Sequence, residues 1–368
     1  MLLEMPSRHE VIENLIHKYE RYVAPFTFAA GFVLDTITLR RVDLWLDQLA
    51  LLGFLATAAI AITALNVYES GQTRLHILDS IIQFAPVVMQ FAFGGLFSAF
   101  VIFYTKSAAF GKSWLCILAL SVLLVGNERF RARYQRLTFQ LSIFFVTVFS
   151  YSILILPIIV KKMGTAVFLG SGAISAAIIF LFVTALSYII PRQISEARRM
   201  LAAAIGGIYI LFHLFYFTNI IPPIPLSLKE SGVYHSVERV SDEGYAVRYE
   251  PAPWYAFLSE TNSLYHWKSG ELVYFFSSVF APTKLTASIR HRWYYYDEES
   301  GDWTQYAEVP FPIYGGRDGG YRGYSFITGV RPGKWRVEAV VGRGQVLGRE
   351  AFRIVEIDEE FAVQTGIK

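Results

Sequence analysis

The chain has 368 residues, of which 54% are hydrophobic and 17% charged, with a net charge of +3 and a mean hydropathy of +0.39. That apolar content is far above a soluble chain's and points to membrane insertion. Residues 1–226 hold 17 Lys+Arg against 11 Asp+Glu and residues 227–368 hold 16 against 19, so no segment has the concentrated basic face that nucleic-acid binding needs.

The N-terminal residues Glu4, Arg8, His9, Glu10 and Glu13 do not form a short basic segment ahead of an apolar core, so no cleaved signal is expected. Residues 9–19 place Val11, Ile12, Leu15, Ile16 and Tyr19 on one face, which predicts an amphipathic helix within residues 1–21 lying along the cytoplasmic interface. Seven apolar runs follow near 22–39, 44–66, 81–104, 108–126, 137–160, 164–190 and 201–221. Each approaches the roughly 20 residues that a membrane helix needs. The fold class expected is therefore a seven-helix membrane bundle over 22–221, joined through a linker over 222–244 to a second domain.

Basic residues set the expected orientation. On one side fall Arg8, Lys18, Arg21, Arg74, Arg129, Arg131, Arg133, Arg136, Arg192, Arg198 and Arg199; on the other fall Arg40, Arg41, Lys106, Lys112, Lys161 and Lys162. The positive-inside rule then makes the N-terminus cytoplasmic and the C-terminal domain extracytoplasmic. Small residues at Gly94, Gly95, Gly170, Gly172, Gly206 and Gly207 mark expected close helix contacts.

Ionisable groups at membrane depth are costly and point to function. Asp35 sits near the end of the first run with Arg40 and Arg41 beside it; it reads either as an interfacial charge cluster or as a ligand site beneath the second domain. His213 falls near the middle of the last run, where it serves either as a proton relay or as a neutral interhelical hydrogen-bonding group. Gln83, Gln90 and Gln140 are read as interhelical hydrogen-bonding residues or, with His213, as the lining of a cavity. The single cysteine, Cys116, excludes an internal disulfide and a Cys-based metal site.

From Tyr245 the hydrophobic period changes to two. Strands are expected near 245–250, 271–280, 285–296, 303–309, 321–328, 334–341 and 345–355, separated by Gly- and Pro-containing turns. Seven short strands over 245–356 indicate an all-β immunoglobulin-like sandwich, followed by a solvated acidic tail over 357–368. Trp335, Val337, Ala339 and Val341 form the expected core face of one strand, and Leu285, Ala287, Ile289, His291 and Trp293 that of another. This phase makes His291 a structural histidine, buried or at an edge and bonded to backbone, with Arg290 and Arg292 outward. His235, Glu238 and His266 lack ligand spacing, so no metal is expected, and no motif implies another cofactor. The segment Gly315 to Gly323, with Arg317, Asp318, Tyr321 and Arg322, is either an architectural crossover or a site for an anion, a sugar or a lipid headgroup. No nucleophile elbow, protease, kinase or deaminase signature is present.

Five segments carry a family resemblance: GFVLDTITLRR from Gly31, QFAFGGLFSAFVIFY from Gln90, IPPIPLSLKESGVYHSV from Ile221, GGRDGGYRGY from Gly315 and GKWRVEAVVGRGQVLG from Gly333. Together they resemble bacterial polytopic membrane proteins whose C-terminal module is a domain of unknown function of the DUF2914 type. The resemblance implies a bacterial inner-membrane protein with a β-rich head and carries over no catalytic residues. The function expected is non-enzymatic: a scaffold, sensor or binding protein whose head meets an envelope glycan, a lipid headgroup or a membrane protein partner. The alternatives are a transporter or flippase using the bundle, and a membrane enzyme acting on lipid-linked substrates near Asp35 and Arg41. Oligomeric state is not legible.

Overall fold

The computed structural model describes residues 32–33, 35–37, 39, 44–71, 82, 84–107, 113–126, 136–240, 244–254, 261–282, 285–314, 320–359 and 361–368. Contacts divide the chain into a unit Met1–Arg41 and a unit Val42–Lys368; the second contains both the helices and the β-rich region. The amphipathic helix expected over 9–19 and most of the first apolar run lie outside the described residues.

Six helices are described in the larger unit: α1 (Trp45–Glu69), α2 (Ala85–Ser107), α3 (Trp114–Gly126), α4 (Leu137–Val160), α5 (Thr165–Ile189) and α6 (Pro191–Phe217). All but α3 are long and apolar enough to cross a membrane, compatible with a membrane protein. At 23 to 27 residues they are about 35 to 40 Å long, more than the roughly 30 Å of a bilayer core. The 13 residues of α3 rise only about 20 Å. Charged side chains on these helices gather at their ends: Asp47 and Glu69 on α1, Lys106 in the last turn of α2, and Arg192, Glu196, Arg198 and Arg199 in the first turns of α6.

α4 matches its expected bounds, while α6 begins ten residues earlier than expected. Pro191 occupies its first turn, where a missing N–H costs nothing and the fixed φ suits the helix. The polar residues after it continue the helix, with Arg192 Nε 3.1 Å from Glu196 Oε1 one turn on. Among the expected close contacts, a Cβ at Gly95 would meet the Phe54 ring at 2.7 Å, and one at Gly172 would meet His213, Phe149 and Tyr209 at 3.2 to 3.3 Å. Gly206 and Gly207 have no atom within 4 Å of an added Cβ, so they are not contact positions. Outward-facing side chains are large and apolar, among them Phe180 at 69% and Ile210 at 68% exposure. Water would penalise that surface; lipid would not.

Among the described residues the head has eleven strands: β1 (Ser227–Tyr234), β2 (Ser236–Arg239), β3 (Tyr245–Tyr249), β4 (Leu264–Trp267), β5 (Val273–Phe280), β6 (Thr286–Asp297), β7 (Asp302–Tyr314), β8 (Tyr321–Ile327), β9 (Gly333–Val341), β10 (Gln345–Glu356) and β11 (Gln364–Ile367). They form sheets of order β1-β5-β8, β4-β10-β9-β6-β7 and β11-β3-β2. The first two enclose a core that includes Phe275, Ile289, Trp293, Trp335, Val337 and Phe352, giving a two-sheet sandwich. The third lies over the other face of β5, where Tyr234, Val237, Val247 and Phe276 make a smaller core.

All seven expected strands are present, and four departures are informative. The segment 222–244, expected as a linker, contains β1 and β2. The polar run LKESG hides β1 because much of the strand is only half-buried, so strict alternation is not required of it. β4, four residues long, has no alternation beyond its own length and runs parallel to β10. β7 continues through Pro310 and Pro312 because it is the edge of the five-stranded sheet, where a missing N–H leaves no ladder bond unmade. The tail is not wholly solvated: β11 pairs antiparallel with β3, and Lys368 exchanges 2.9 Å backbone bonds with Tyr245.

Candidate functional site

Among the described residues, Gln140 and His213 on the apolar helices make separate contacts. Asn66 Nδ2 on α1 donates to Gln140 Oε1 on α4 at 2.6 Å and to Ile62 O at 2.7 Å; both side chains are buried, as an interhelical bond in an apolar bundle requires. Asn66 was visible in its apolar run as a group that must find a partner, and sequence reasoning passed over it. His213 Nδ1 lies 2.8 Å from Tyr209 O, one turn back on its own helix. Phe149, Phe168 and Tyr209 surround its ring at 4.2 to 6.0 Å. Gln90 is half-buried on α2, and Gln83 lies outside the described residues. Asp35 belongs to the separate N-terminal unit, and Arg41 lies outside the described residues.

Of the Gly-rich loop, Arg317 and Asp318 also lie outside them. Tyr321 packs against the main core, and Tyr321 and Arg322 stand in register with Val279 and Ser278 of β5. Gly320 has φ +84, and a Cβ there would come within 2.5 Å of Ser278 Oγ. This position therefore needs glycine for both conformation and space.

His291 lies where its strand phase predicts, fully buried. Its partners are hydroxyls of the facing sheet and not backbone: Nε2 is 2.8 Å from Ser277 Oγ and Nδ1 is 3.0 Å from Ser325 Oγ, to which Trp293 Nε1 also donates at 3.0 Å. Burial pulls the imidazole down to about 3, so it is neutral and joins the two sheets. With no path from solvent, this serine–histidine contact is structural. Arg290 and Arg292 point outward as expected, and both meet Glu308, at 3.1 and 2.5 Å.

A second polar centre was not legible. Glu250, buried after β3, accepts from His235 Nε2 at 3.1 Å, His266 Nδ1 at 2.7 Å and the His266 backbone N–H at 2.8 Å. Desolvation pushes its carboxyl up, but these bonds outweigh it and the net shift is downward. The two histidines address separate carboxylate oxygens, and no group of three or more His, Cys, Asp or Glu suited to a metal occurs among the described residues. His235 sits where the chain passes from β1 to β2, and Phe361 lies against both rings, at 4.9 and 5.7 Å. The clasp ties the corner, β4 and the C-terminal segment together.

Two surfaces among the described residues bear on the candidate site. On the outer face of β5 and β8, Tyr274 packs on Phe326 at 5.5 Å and on Tyr324 at 6.1 Å, and Tyr245 reaches Tyr324 at 5.9 Å; Tyr324 and Phe326 are 38% and 49% exposed. The other surface is the junction of head and bundle. There Gln345 Nε2 donates to Ile221 O at 3.2 Å, the Arg343 guanidinium lies 4.8 Å from the Phe217 ring centre, and Met163 packs against the head's core. The cavity left between them, about 30 Å³, is lined mainly by apolar residues such as Ile153, Phe168, Pro222 and Pro223. Such a water-sized space is too small for an organic substrate.

Residues 286–354 match the family model described as "Protein of unknown function (DUF2914)", so the C-terminal region carries a DUF2914-type domain. No curated protein matches the chain. Among solved structures, the alkylpurine DNA glycosylase AlkC of Pseudomonas fluorescens, bound to DNA containing an abasic site analog, aligns over 86% of this chain and 100% of its own. The identity is 10% and the TM-score 0.23, a similarity that carries no argument.

Proposed function

From a DUF2914-type domain carried on membrane-length helices, we propose a multi-pass protein of the bacterial inner membrane. Its immunoglobulin-like head stands outside the cytoplasm and binds an envelope component without catalysing a reaction. The strand order supports the immunoglobulin-like reading: β1-β5-β8 opposite β10-β9-β6 follows A-B-E opposite G-F-C, with Trp293 buried on the third of the latter strands.

The observation that carries the binding role is the strip formed by the exposed Tyr324 and Phe326 with the half-buried Tyr274 beside them. Phe276 on the same face of β5 is covered by β2 and β3, so the apolar character of that strand is partly used within the head. The neighbouring rings stay uncovered, as flat faces with phenolic hydroxyls suited to a sugar ring or another partly apolar partner. The transporter reading has less support among the described residues: Gln140 and His213 serve separate contacts, and the cavity of about 430 Å³ beside the first helix, with Ala59, Thr63, Val67 and Phe182 in its wall, is lined mainly by apolar residues. The enzyme reading lacks a polar cleft among the described residues.

The test uses the full-length protein in detergent, co-sedimented with isolated peptidoglycan sacculi and cross-linked in parallel to bacterial membrane proteins. Wild type is expected to be captured by one of the two, and Tyr324→Ser/Phe326→Ser to lose capture at least tenfold. Wild type captured by neither, or a variant captured equally, overturns the binding role.

A further inference from the structure

The junction carries more positive charge than anchoring a head requires. Lys106 is in the last turn of α2, Lys161 and Lys162 follow α4 directly, and Arg343 lies over Phe217, the last residue of α6. Lys229 of β1 is close enough to Lys106 for the two ammonium groups to repel, and its Nζ sits 5.5 Å from the centre of the Phe280 ring. Asp47 is the carboxylate that offsets Lys106. Glu230, the neighbour of Lys229, is bonded to Lys368 instead. Lys161, Lys162, Lys229 and Arg343 are exposed and have no carboxylate partner among the described residues.

One backbone feature adds to this. Lys161 caps α4 at φ 57, ψ 28, a left-handed position where glycine or asparagine is the usual residue. A lysine there keeps a charge at the expense of local preference, a departure typical of functional positions.

These groups share the level at which α2, α4 and α6 end. If the bundle spans a bilayer, that level holds lipid phosphates, and a cationic ring there attracts anionic headgroups. We propose that Lys106, Lys161, Lys162, Lys229 and Arg343 form a collar that binds anionic phospholipid on the head side of the membrane and holds the sandwich against the bundle. It accounts for basic residues on the side that the positive-inside rule disfavours. The inference rests on the membrane-spanning part of the function proposed above and is independent of what the aromatic strip binds.

The test is native mass spectrometry of the full-length protein titrated with phosphatidylglycerol or phosphatidylcholine of the same acyl chains. Phosphatidylglycerol is expected to be retained preferentially. The pairs Lys161→Gln/Lys162→Gln and Lys229→Gln/Arg343→Gln should each weaken that retention roughly tenfold, whereas Lys268→Gln, in a turn of the head, leaves it unchanged. Equal retention of the two lipids, or a preference untouched by both pairs, overturns the collar. Alkaline carbonate extraction of membranes separates the two levels of failure. Release of the protein refutes the spanning reading, while a protein that stays in the membrane without lipid preference refutes the collar alone.

Discussion

At the scale of single residues, His291 carries the clearest consequence. Its ordinary value of 6.5 falls to about 3 in the folded head, so between those values the unfolded chain binds a proton that the folded chain refuses. Stability from this group is complete above pH 6.5 and falls as the pH is lowered, by roughly 2 kcal/mol at pH 5. Glu250 acts lower: its folded value is depressed below 4.5, so its contribution is present above that pH and is lost as the pH falls further. Urea unfolding of the full-length protein in detergent, followed by tryptophan fluorescence, should therefore lose about 2 kcal/mol more between pH 7 and pH 5 in wild type than in His291→Gln. Equal pH slopes would contradict the assignment. Strand phase alone places His291 in the core, because period two fixes the face. Its partners were hidden because Ser277 and Ser325 lie 14 and 34 positions away on the opposite sheet. The same distance in sequence concealed the meeting of His235 and His266 at Glu250.

At the scale of elements, legibility follows how strongly burial constrains each segment. α4 and the central strands β9 and β10 lie close to their expected bounds because a buried helix needs an uninterrupted apolar run and a half-buried strand needs alternation. β1, β4 and β11 are short, partly polar or held by backbone pairing, and leave no such pattern. The expected β7 stops before its prolines because an edge position cannot be read before the sheet order is known. Among the helices, glycine alone does not identify a contact: Gly172 faces three aromatic rings and Gly207 faces none. Gly172→Leu should therefore drive α5 from α6 and cost about 1 to 3 kcal/mol, lowering the melting temperature in detergent. Gly207→Leu should leave it within a degree or two. Equal effects would show that the α5–α6 contact is loosely packed.

At the scale of the whole molecule, the chain divides by solvent. The helices present large apolar side chains outward and keep charge at their ends. The strands enclose their apolar residues in two cores and keep ion pairs such as Arg290 with Glu308, at 3.1 Å, at the surface. The contacts of Ile221 with Gln345 and of Met163 with the head's core join these parts. The central claim is that the helices cross a bilayer and leave the head outside the cytoplasm. In a Cys116→Ser background expressed in a bacterium, Ser300→Cys lies in an exposed turn of the head and Ser195→Cys near the opposite end of α6. A membrane-impermeant maleimide applied to intact cells is predicted to label Ser300→Cys and to reach Ser195→Cys only after permeabilisation. Labelling of Ser195→Cys alone in intact cells would place the head in the cytoplasm, and equal labelling of both positions would contradict a spanning bundle.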